Sequence, residues 1–338
     1  MRDRPVGLAE SDLRAALTDG WAVDAGSLEY LPVGFGSYHW SATGRDGRSW
    51  FVKVDDLGFH RPGRPDEFDR LRRSMRTALT LHRDAGLEFV LAPVPAADDA
   101  PVRRLSPRYA LSVFPLVAGT AGEFGPHRPE DLAELTDLLA RLHRATPAVA
   151  HLAPRADLLL PGRDGLNGAL ADLQRPWTTG PYAESARKLL TVHEGRVRAW
   201  LDDFDRLVDE VRRSGTDWVV THGEPHPGNV IRTPSGARLI DWATVQIAPP
   251  ERDLWMLTDA FAGMLGADPA GTDAQVLRHY RRAGGRAVTP AGVARYRRWW
   301  PLADVAAFVN DLRRPHGDGA DDAAALTYLA GYLESAPD

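Results

Sequence analysis

Residues 221–231, THGEPHPGNVI, and residues 239–242, LIDW, decide the interpretation of this chain. Two short apolar strands there frame a carboxylate at Glu224, a carboxamide at Asn229 and a second carboxylate at Asp241. Metal-assisted phosphoryl transfer uses such groups: one carboxylate orients the attacking hydroxyl, and oxygen ligands hold Mg²⁺ on the nucleotide phosphates. The two stretches together therefore predict a phosphoryl-transfer site.

The loop that carries Glu224 combines tight turns with stiff backbone. Gly223 allows a sharp turn, and Pro225 restricts the chain that follows. His222 is expected to be a structural hydrogen-bonding group. His226 either supports the loop or contacts a phosphate, and we count it with Glu224 as a catalytic candidate.

A glycine loop and a lysine lie upstream. Gly34, Gly36 and Ser37 connect two strand-like segments, and Lys53 lies in the apolar strand at residues 50–54. Only two of the 41 Lys and Arg residues are lysines, so a retained Lys suggests a specific role. Side chains alternate along a strand, so Lys53 faces away from its apolar neighbours. If the glycine loop covers a nucleotide, Lys53 can reach its phosphates.

Composition narrows the class of protein. The 338 residues are 43% apolar and 26% charged, which is typical of a globular protein that can bury one large core or two lobes. The net charge of −5 argues against a nucleic-acid partner. The chain has no cysteine and no apolar run of ~18 residues, so we expect no disulfide and no membrane partner. The first 20 residues lack a signal-peptide pattern, and a cytoplasmic location is expected.

Hydrophobic periodicity predicts a β-rich first third followed by helices, with a short β pair in the second part. This pattern indicates an α+β chain of two lobes joined near residues 114–119. Strands are predicted at residues 30–33, 38–42, 50–54, 89–94, 109–117, 218–220, 230–231 and 238–240. Helices are predicted at residues 8–19, 67–85, 129–146, 182–213, 253–265, 272–283, 291–312 and 321–333.

The pattern HGExHxxN at residues 222–229, with IDW at 240–242, resembles the Brenner motif and metal-binding segment of aminoglycoside phosphotransferases and their choline-kinase-like relatives. The segment APPERDL at residues 248–254 is most similar to the spectinomycin phosphotransferase branch. The resemblance implies a two-lobed, protein-kinase-like fold. Residues 1–116 would form the nucleotide-binding lobe, and residues 117–338 the helical lobe with the catalytic loop and substrate site.

The resemblance also implies roles by position. Lys53 would bind phosphate under the glycine loop, and backbone groups near Phe114 and Leu116 would hold adenine. Asn229 and Asp241 would be the ligands of Mg²⁺. ATP and Mg²⁺ are therefore the expected cofactors, with GTP as the alternative nucleotide.

Two features depart from the family pattern. Glu224 stands where the family usually has Asp, and its side chain is longer by ~1.5 Å, a misplacement that can lower a rate about 100-fold. Either the pocket is shaped for Glu, or turnover is weak. In kinases a helix carboxylate holds the phosphate-binding lysine. Glu67 and Asp69 are the two candidates for this carboxylate here, and the alternative is that both are solvated acids on the surface.

The helical part is expected to recognise the acceptor. Asp304 and Asp311 lie seven residues apart on one predicted helix, and Asp259 lies on another. Carboxylates that face a cleft would suit an amino sugar or aminocyclitol, and solvated surface acids are the alternative. Trp299 and Trp300 either stack on a sugar ring or belong to the core.

The sequence therefore predicts a phosphotransferase that uses ATP and Mg²⁺ to phosphorylate a hydroxyl of a small molecule. An aminoglycoside or aminocyclitol antibiotic is the favoured acceptor, and the protein is expected to be a monomer or homodimer. The alternatives are a kinase of another small alcohol, such as a sugar or choline-like molecule, and a nucleotide-binding pseudokinase. A protein-directed kinase is disfavoured because no activation segment separates Asp241 from Glu251.

Overall fold

The computed structural model of the chain describes residues 1–34, 36–58, 67–215 and 217–335. In its first third, the strands at residues 25–31, 37–44, 49–56, 109–115 and 103–104 form, in that spatial order, a five-stranded antiparallel sheet. The strands are β1 Ala25–Leu31, β2 Ser37–Gly44, β3 Ser49–Asp56, β4 Arg103–Arg104, β5 Tyr109–Pro115, β6 Thr120–Ala121, β7 Val219–Thr221, β8 Val230–Thr233, β9 Gly236–Leu239 and β10 Gln246–Ala248. The helices are α1 Glu10–Trp21, α2 Glu67–Arg83, α3 Leu132–Arg144, α4 Thr146–Val149, α5 Arg163–Ala171, α6 Ala183–Val192, α7 Glu194–Arg213, α8 Glu251–Leu254, α9 Asp259–Met264, α10 Asp273–Arg282, α11 Pro290–Leu312 and α12 Ala320–Ser335.

The two faces of the five-stranded sheet have different partners. Val52 and Val54 of β3 belong to a core shared with Leu13 of α1. Because side chains alternate along a strand, Lys53 lies on the opposite face. That face carries Phe114, which packs with residues of α2. The sheet thus holds one buried lysine between its strands and the helix that follows β3.

The rest of the chain is mainly helical, with two small sheets at its junction with the first third. Strands β6, β8 and β9 form one antiparallel sheet, and β7 pairs with β10. The loop between β7 and β8 contains the Glu224 motif, and Asp241 follows β9. Helices α3, α7 and α11 provide much of the apolar core beneath these sheets. The Glu224 loop and Asp241 therefore lie at the ends of short strands that pack against helices.

The predicted α+β architecture is confirmed, but several element boundaries were wrong. The predicted helix at 182–213 is interrupted at His193 (φ −105°, ψ 12°), next to β-branched residues and Gly195, which are weak helix formers. The predicted helix at 253–265 breaks at Thr258, where the backbone is extended.

The predicted strand at 89–94 is also wrong. This segment makes only an isolated bridge, from Val90 to Leu239, because Pro93 and Pro95 cannot donate the hydrogen bonds of a ladder. Helix α5 was not predicted, and its glycines hid the helical pattern.

No helix within the described residues has the length and apolarity to span a membrane. The division of the chain at residues 116 and 117 stays a prediction.

Candidate active site

The loop between β7 and β8 is anchored by one buried carboxylate. Asp253 of α8 accepts the backbone N–H groups of His222 at 2.9 Å and of Gly223 at 2.6 Å. It also contacts His143 Nε2 at 3.0 Å, and the Nδ1 of that histidine lies 2.6 Å from the Tyr280 hydroxyl. Burial alone would raise the pKa of Asp253, but the interactions with His143, Arg252 and His222 together outweigh burial, and the pKa is lowered. An ionised carboxylate therefore fixes the backbone just before Glu224.

Gly223 is required by the close approach of a buried arginine. Its φ is +103°, and a Cβ placed there would lie 2.2 Å from the Arg252 guanidinium. Arg252 is 5% exposed and donates to the Thr221 hydroxyl at 2.9 Å. No side chain fits at residue 223, so the turn that presents Glu224 needs glycine.

His222 has the structural role that the sequence suggested. It is fully buried, and its Nε2 lies 2.7 Å from the Ile240 carbonyl oxygen. Its Nδ1 accepts the N–H of Glu224 at 3.2 Å. These contacts connect the Glu224 loop to the segment that leads into Asp241. The imidazole therefore sets the spacing between the two carboxylates.

Glu224 is partly exposed beside other acidic groups. Burial raises the pKa of its carboxyl to about 7, with Asp241 adding to the rise and Arg252 opposing it. Asp304 also raises this pKa, which places that aspartate in the electrostatic neighbourhood of Glu224. A carboxyl poised near neutral pH can accept a proton from a hydroxyl or hold it by a hydrogen bond.

Asp241 and Lys53 meet across the junction between the sheet and the helical part. Lys53 Nζ lies 2.8 Å from Asp241 Oδ1 and 3.1 Å from Asp55 Oδ1. Burial would raise the pKa of Asp241, but Lys53 outweighs it and lowers the pKa to about 2. The backbone of Asp241 is left-handed (φ 61°, ψ 66°), and the buried Trp242 follows it. This uncommon backbone turns the carboxylate toward the sheet.

The residues present fit Mg²⁺ and a nucleotide. Asn229 Nδ2 donates to the Glu224 carbonyl at 2.9 Å, so the Asn229 amide oxygen is its acceptor group for a cation. Within the described ranges, no group of three or more His, Asp or Glu residues could hold a metal ion alone. Mg²⁺ commonly takes one or two protein oxygens and completes its shell with phosphates and water. The pair Asn229 and Asp241 matches that donor set.

An aromatic wall stands beside the loop. Phe124 is 48% exposed, meets His226 edge to face at a centroid distance of 4.8 Å and stacks with Trp300 at 6.1 Å. Trp300 Nε1 donates to the Tyr332 hydroxyl at 3.0 Å, and that hydroxyl donates to Asp304 at 2.7 Å. An aromatic surface and a carboxylate that is held by Tyr332 thus lie beside the loop that carries Glu224.

The sequence profile of the phosphotransferase enzyme family matches residues 28–299. The chain belongs to this family. It is 27% identical over 312 residues to protein StrN of Streptomyces griseus, covering 90% of this chain and 86% of that protein. These matches and the kinase-like neighbours indicate a small-molecule phosphotransferase.

Solved structures share its fold. Spectinomycin phosphotransferase in complex with ADP and spectinomycin aligns with a TM-score of 0.71 at 16% identity, covering 96% of this chain and 94% of the other. Choline kinase LicA from Streptococcus pneumoniae aligns with a TM-score of 0.57 at 17% identity, covering 96% and 99%. The predicted protein-kinase-like fold is thereby confirmed.

The phosphotransferase brings some of the predicted nucleotide residues together. Gly34 and Gly36 have positive φ, and Ser37 begins β2 and contacts His39 Nε2 at 3.2 Å. Residue 35 lies outside the described part of the chain. Phe114 is buried in β5, whereas Leu116 follows it with 48% of its surface exposed. Their predicted roles toward adenine stay predictions.

The three carboxylates that were predicted to bind the phosphate-accepting molecule have different surroundings. Asp304 lies near Glu224, as described. Asp259 accepts the N–H groups of Ala270 and Gly271, and Asp311 contacts Arg314 at 3.2 Å. Assignment of these last two to the acceptor remains a prediction without a contact that supports it.

Sequence reasoning missed several residues that the structure places at or beside the candidate site. Asp55 and His39 each lie two positions from a predicted residue, and strand alternation was the signal that could have found them. Phe124 and Tyr332 are far from every motif in sequence, and no local pattern pointed to them. Among the described residues, the carboxylates that contact Lys53 are Asp55 and Asp241, and neither of the two predicted candidates on α2 is among them. Glu67 contacts Arg70, and Asp69 contacts Arg72, in both cases one turn along α2.

Proposed function

We propose that this phosphotransferase uses ATP and Mg²⁺ to phosphorylate a hydroxyl of a small cationic molecule, with an aminocyclitol or aminoglycoside as the favoured class. The observation that carries the proposal is the contact between Lys53 and Asp241, 188 positions apart in the chain. The charges of both groups act on Glu224, and Asn229 donates to the Glu224 carbonyl. Phosphoryl transfer needs this combination of cation, metal ligands and hydroxyl-orienting carboxylate.

Each side chain has a distinct task in this proposal. Lys53 binds the phosphates of ATP, and the glycine loop at Gly34 and Gly36 covers them. Asn229 and Asp241 hold Mg²⁺, which neutralises phosphate charge when bound. Glu224 accepts a hydrogen bond from the acceptor hydroxyl and aligns its oxygen with the γ-phosphorus. As the new oxygen–phosphorus bond forms, the bond from the γ-phosphorus to the β,γ-bridging oxygen breaks, ADP leaves, and Glu224 receives the hydroxyl proton.

The acceptor class is inferred from the wall beside Glu224. Phe124 and Trp300 offer aromatic faces, and Asp304 offers a negative charge that Tyr332 holds in place. An amine is attracted both by aromatic faces and by a carboxylate. Two of the structural neighbours, spectinomycin phosphotransferase and choline kinase, are named after acceptors of this kind. A cytoplasmic location would give the enzyme access to ATP.

Glu at residue 224 is the feature that favours a second candidate, a nucleotide-binding pseudokinase. Against that candidate, Asp253 and Arg252 hold the turn at Gly223, and in this proposal the fixed turn presents the longer Glu side chain to the acceptor. We therefore expect Glu224→Asp to lower kcat rather than to raise it, since a shorter side chain leaves a gap of about 1.5 Å in fixed geometry.

Coupled ATP consumption tests the proposal. Wild type, Glu224→Ala and Glu224→Asp would be assayed against spectinomycin, a set of aminoglycosides, choline and simple sugars. Acceptor-dependent turnover that falls at least 100-fold in Glu224→Ala supports the kinase. If wild type binds ADP by calorimetry but no acceptor raises turnover, and Glu224→Asp creates turnover, the pseudokinase is the correct description.

A further inference from the structure

Lys53 lies between two carboxylates that come from different parts of the chain. Asp241 belongs to the helical part, whereas Asp55 lies two positions away on β3. The side chains of Lys53 and Asp55 are 5% and 15% exposed, and that of Asp241 is 38% exposed. The contact between Lys53 and Asp55 is thus the more buried of the two, and it exists within a single strand.

The helix that follows β3 supplies different contacts. Glu67 Oε1 lies 2.6 Å from Arg70 Nη2, and Arg70 also donates to the Ala243 carbonyl at 3.4 Å. Glu67 therefore contributes to a connection between α2 and the segment after Asp241. In protein kinases a carboxylate of the corresponding helix holds the phosphate-binding lysine. Here a strand carboxylate lies at hydrogen-bonding distance from that lysine.

We propose that Asp55 is the residue that positions Lys53 toward the nucleotide phosphates, in the role that a helix carboxylate has in protein kinases. The inference rests on the proposed function and deepens it. If Asp241 turns its oxygens to Mg²⁺, its contact with Lys53 is weakened. Asp55 is no proposed metal ligand, so it retains Lys53 in both situations and prevents a buried ammonium group from losing its partner.

The surroundings of Asp55 support this role. Asp55 Oδ2 is buried and finds no hydrogen-bond partner in the described residues, so it remains an acceptor that the ammonium group can use when it moves. Burial raises the pKa of the Asp55 carboxyl, Lys53 opposes this rise, and the charge of Asp241 adds to it. Across the sheet, Ser112 pairs with Lys53 and its buried hydroxyl likewise lacks a partner in the same residues. Strands β3 and β5 therefore carry buried polar atoms that have no hydrogen-bond partner among the described residues.

Three variants test the positioning role. Asp55→Asn removes the carboxylate. Asp56→Asn is the matched control, because Asp56 is the next residue of β3, has a side chain 2% exposed and pairs with Arg108 on the opposite face. Glu67→Gln tests the helix carboxylate as the rival. Each is measured for ADP affinity by calorimetry with and without Mg²⁺, for KM of ATP and kcat, and for melting temperature.

We expect Asp55→Asn to weaken ADP binding and raise the KM of ATP about tenfold, while Asp56→Asn lowers the melting temperature and leaves ADP affinity within twofold of wild type. In a Lys53→Met background, Asp55→Asn should have no further effect on ADP affinity, because it acts through the lysine. If Asp55→Asn does not fold, Asp55→Leu, which leaves no unpaired polar group, takes its place in the same measurements.

Unchanged ADP affinity in Asp55→Asn, or a larger loss in Glu67→Gln, overturns the positioning role while the proposed function stands. An equal effect of Asp55→Asn in the wild-type and Lys53→Met backgrounds also overturns it. Failure of the wild-type protein to bind any nucleotide overturns the proposed function and this inference with it. The two failures are therefore distinguishable in one series of titrations.

Discussion

At the scale of single residues, the site depends on where charges lie in relation to one another. Glu224 has acidic neighbours and a pKa near neutral, whereas Asp241 pairs with Lys53 and stays ionised to about pH 2. Two carboxyls with different environments can take different tasks, one as proton acceptor and the other as metal ligand. The extra methylene of Glu224 does not alter this division, because pairing and burial set both pKa values.

Activity should depend on the protonation of Glu224. Its proposed orienting role requires the ionised form, so kcat/KM is expected to rise with pH through a midpoint near 7. A rate profile from pH 5.5 to 8.5, with an acceptor whose amines stay charged, measures this midpoint. A flat profile across that range would contradict the assignment of Glu224 as the proton acceptor.

The same pKa predicts a stability effect. A carboxyl whose pKa is raised from 4.5 to about 7 on folding binds its proton more tightly in the native state, so native stability falls as pH rises between these values. Glu224→Gln removes this loss and should raise the free energy of unfolding above pH 7 by about 1–3 kcal/mol. Urea denaturation at pH 5 and pH 8 checks it. The gain should be smaller at pH 5, and the reverse order would rule out a raised pKa.

At the scale of elements, short helices and strands hold the loop in position. Helix α8 has only four residues, yet Asp253 accepts two loop N–H groups and Arg252 lies against Gly223. The segment containing β6 runs alongside the same loop, because Gly122 N–H donates to the Pro227 carbonyl at 3.1 Å. The loop between β7 and β8 is therefore held from both sides by hydrogen bonds to its backbone groups.

Removing the carboxylate of α8 should loosen this loop. Asp253→Asn places an amide where two backbone N–H groups and His143 need a negative acceptor, so we expect a loss of about 2–4 kcal/mol in unfolding free energy and a large loss of kcat. Thermal unfolding and kinetics check both effects. Asp259→Asn, on α9, is the comparison, because its contacts lie in the 270–271 loop. Equal effects on kcat in the two variants would argue against the anchoring role.

The segment after β6 should select the acceptor. Phe124→Ala removes the aromatic face beside His226 and Trp300, and we expect it to raise the KM of a cationic acceptor about fivefold to tenfold with little change in the KM of ATP. Initial rates with each substrate varied in turn measure this split. Leu159→Ala, another exposed apolar residue (56%), is the control. A parallel rise in both KM values would indicate a general disturbance of the loop.

At the scale of the whole molecule, the site exists only where the five-stranded sheet meets the helical part. Lys53 and Asp55 come from the sheet, and Glu224, Asn229 and Asp241 come from the second part. The ion pair of Lys53 with Asp241 is a direct link between them. Ligands that bridge the same groups should therefore stabilise the molecule as a unit.

Nucleotide and metal should act together on stability. ADP with Mg²⁺ at 100 times its Kd is expected to add about 2.7 kcal/mol to the free energy of unfolding. ADP with EDTA should add less, because Asn229 and Asp241 then have no metal ion to hold against the phosphates. Thermal unfolding with each addition measures the difference. Equal stabilisation with and without Mg²⁺ would count against these two residues as metal ligands.

The sequence by itself determined the class of protein, and it predicted the chemistry of its central loop. The spacing of Glu224, Asn229 and Asp241 around short apolar strands is local, so a linear pattern was enough to recognise it. The glycine loop and Lys53 were recognisable for the same reason. Strand and helix types followed from periodicity, except where prolines removed ladder donors at residues 89–94 or glycines masked α5.

Only the tertiary structure decided which other side chains lie beside that loop and beside Lys53. Asp55 rather than a residue of α2 meets Lys53, because strand alternation and the packing of α2 set those distances. Phe124 and Tyr332 reach His226 and Asp304, which lie more than 25 positions away in the chain. Burial and neighbouring charges also set the pKa of Glu224. Such effects depend on distances in space, and a linear sequence carries no direct record of them.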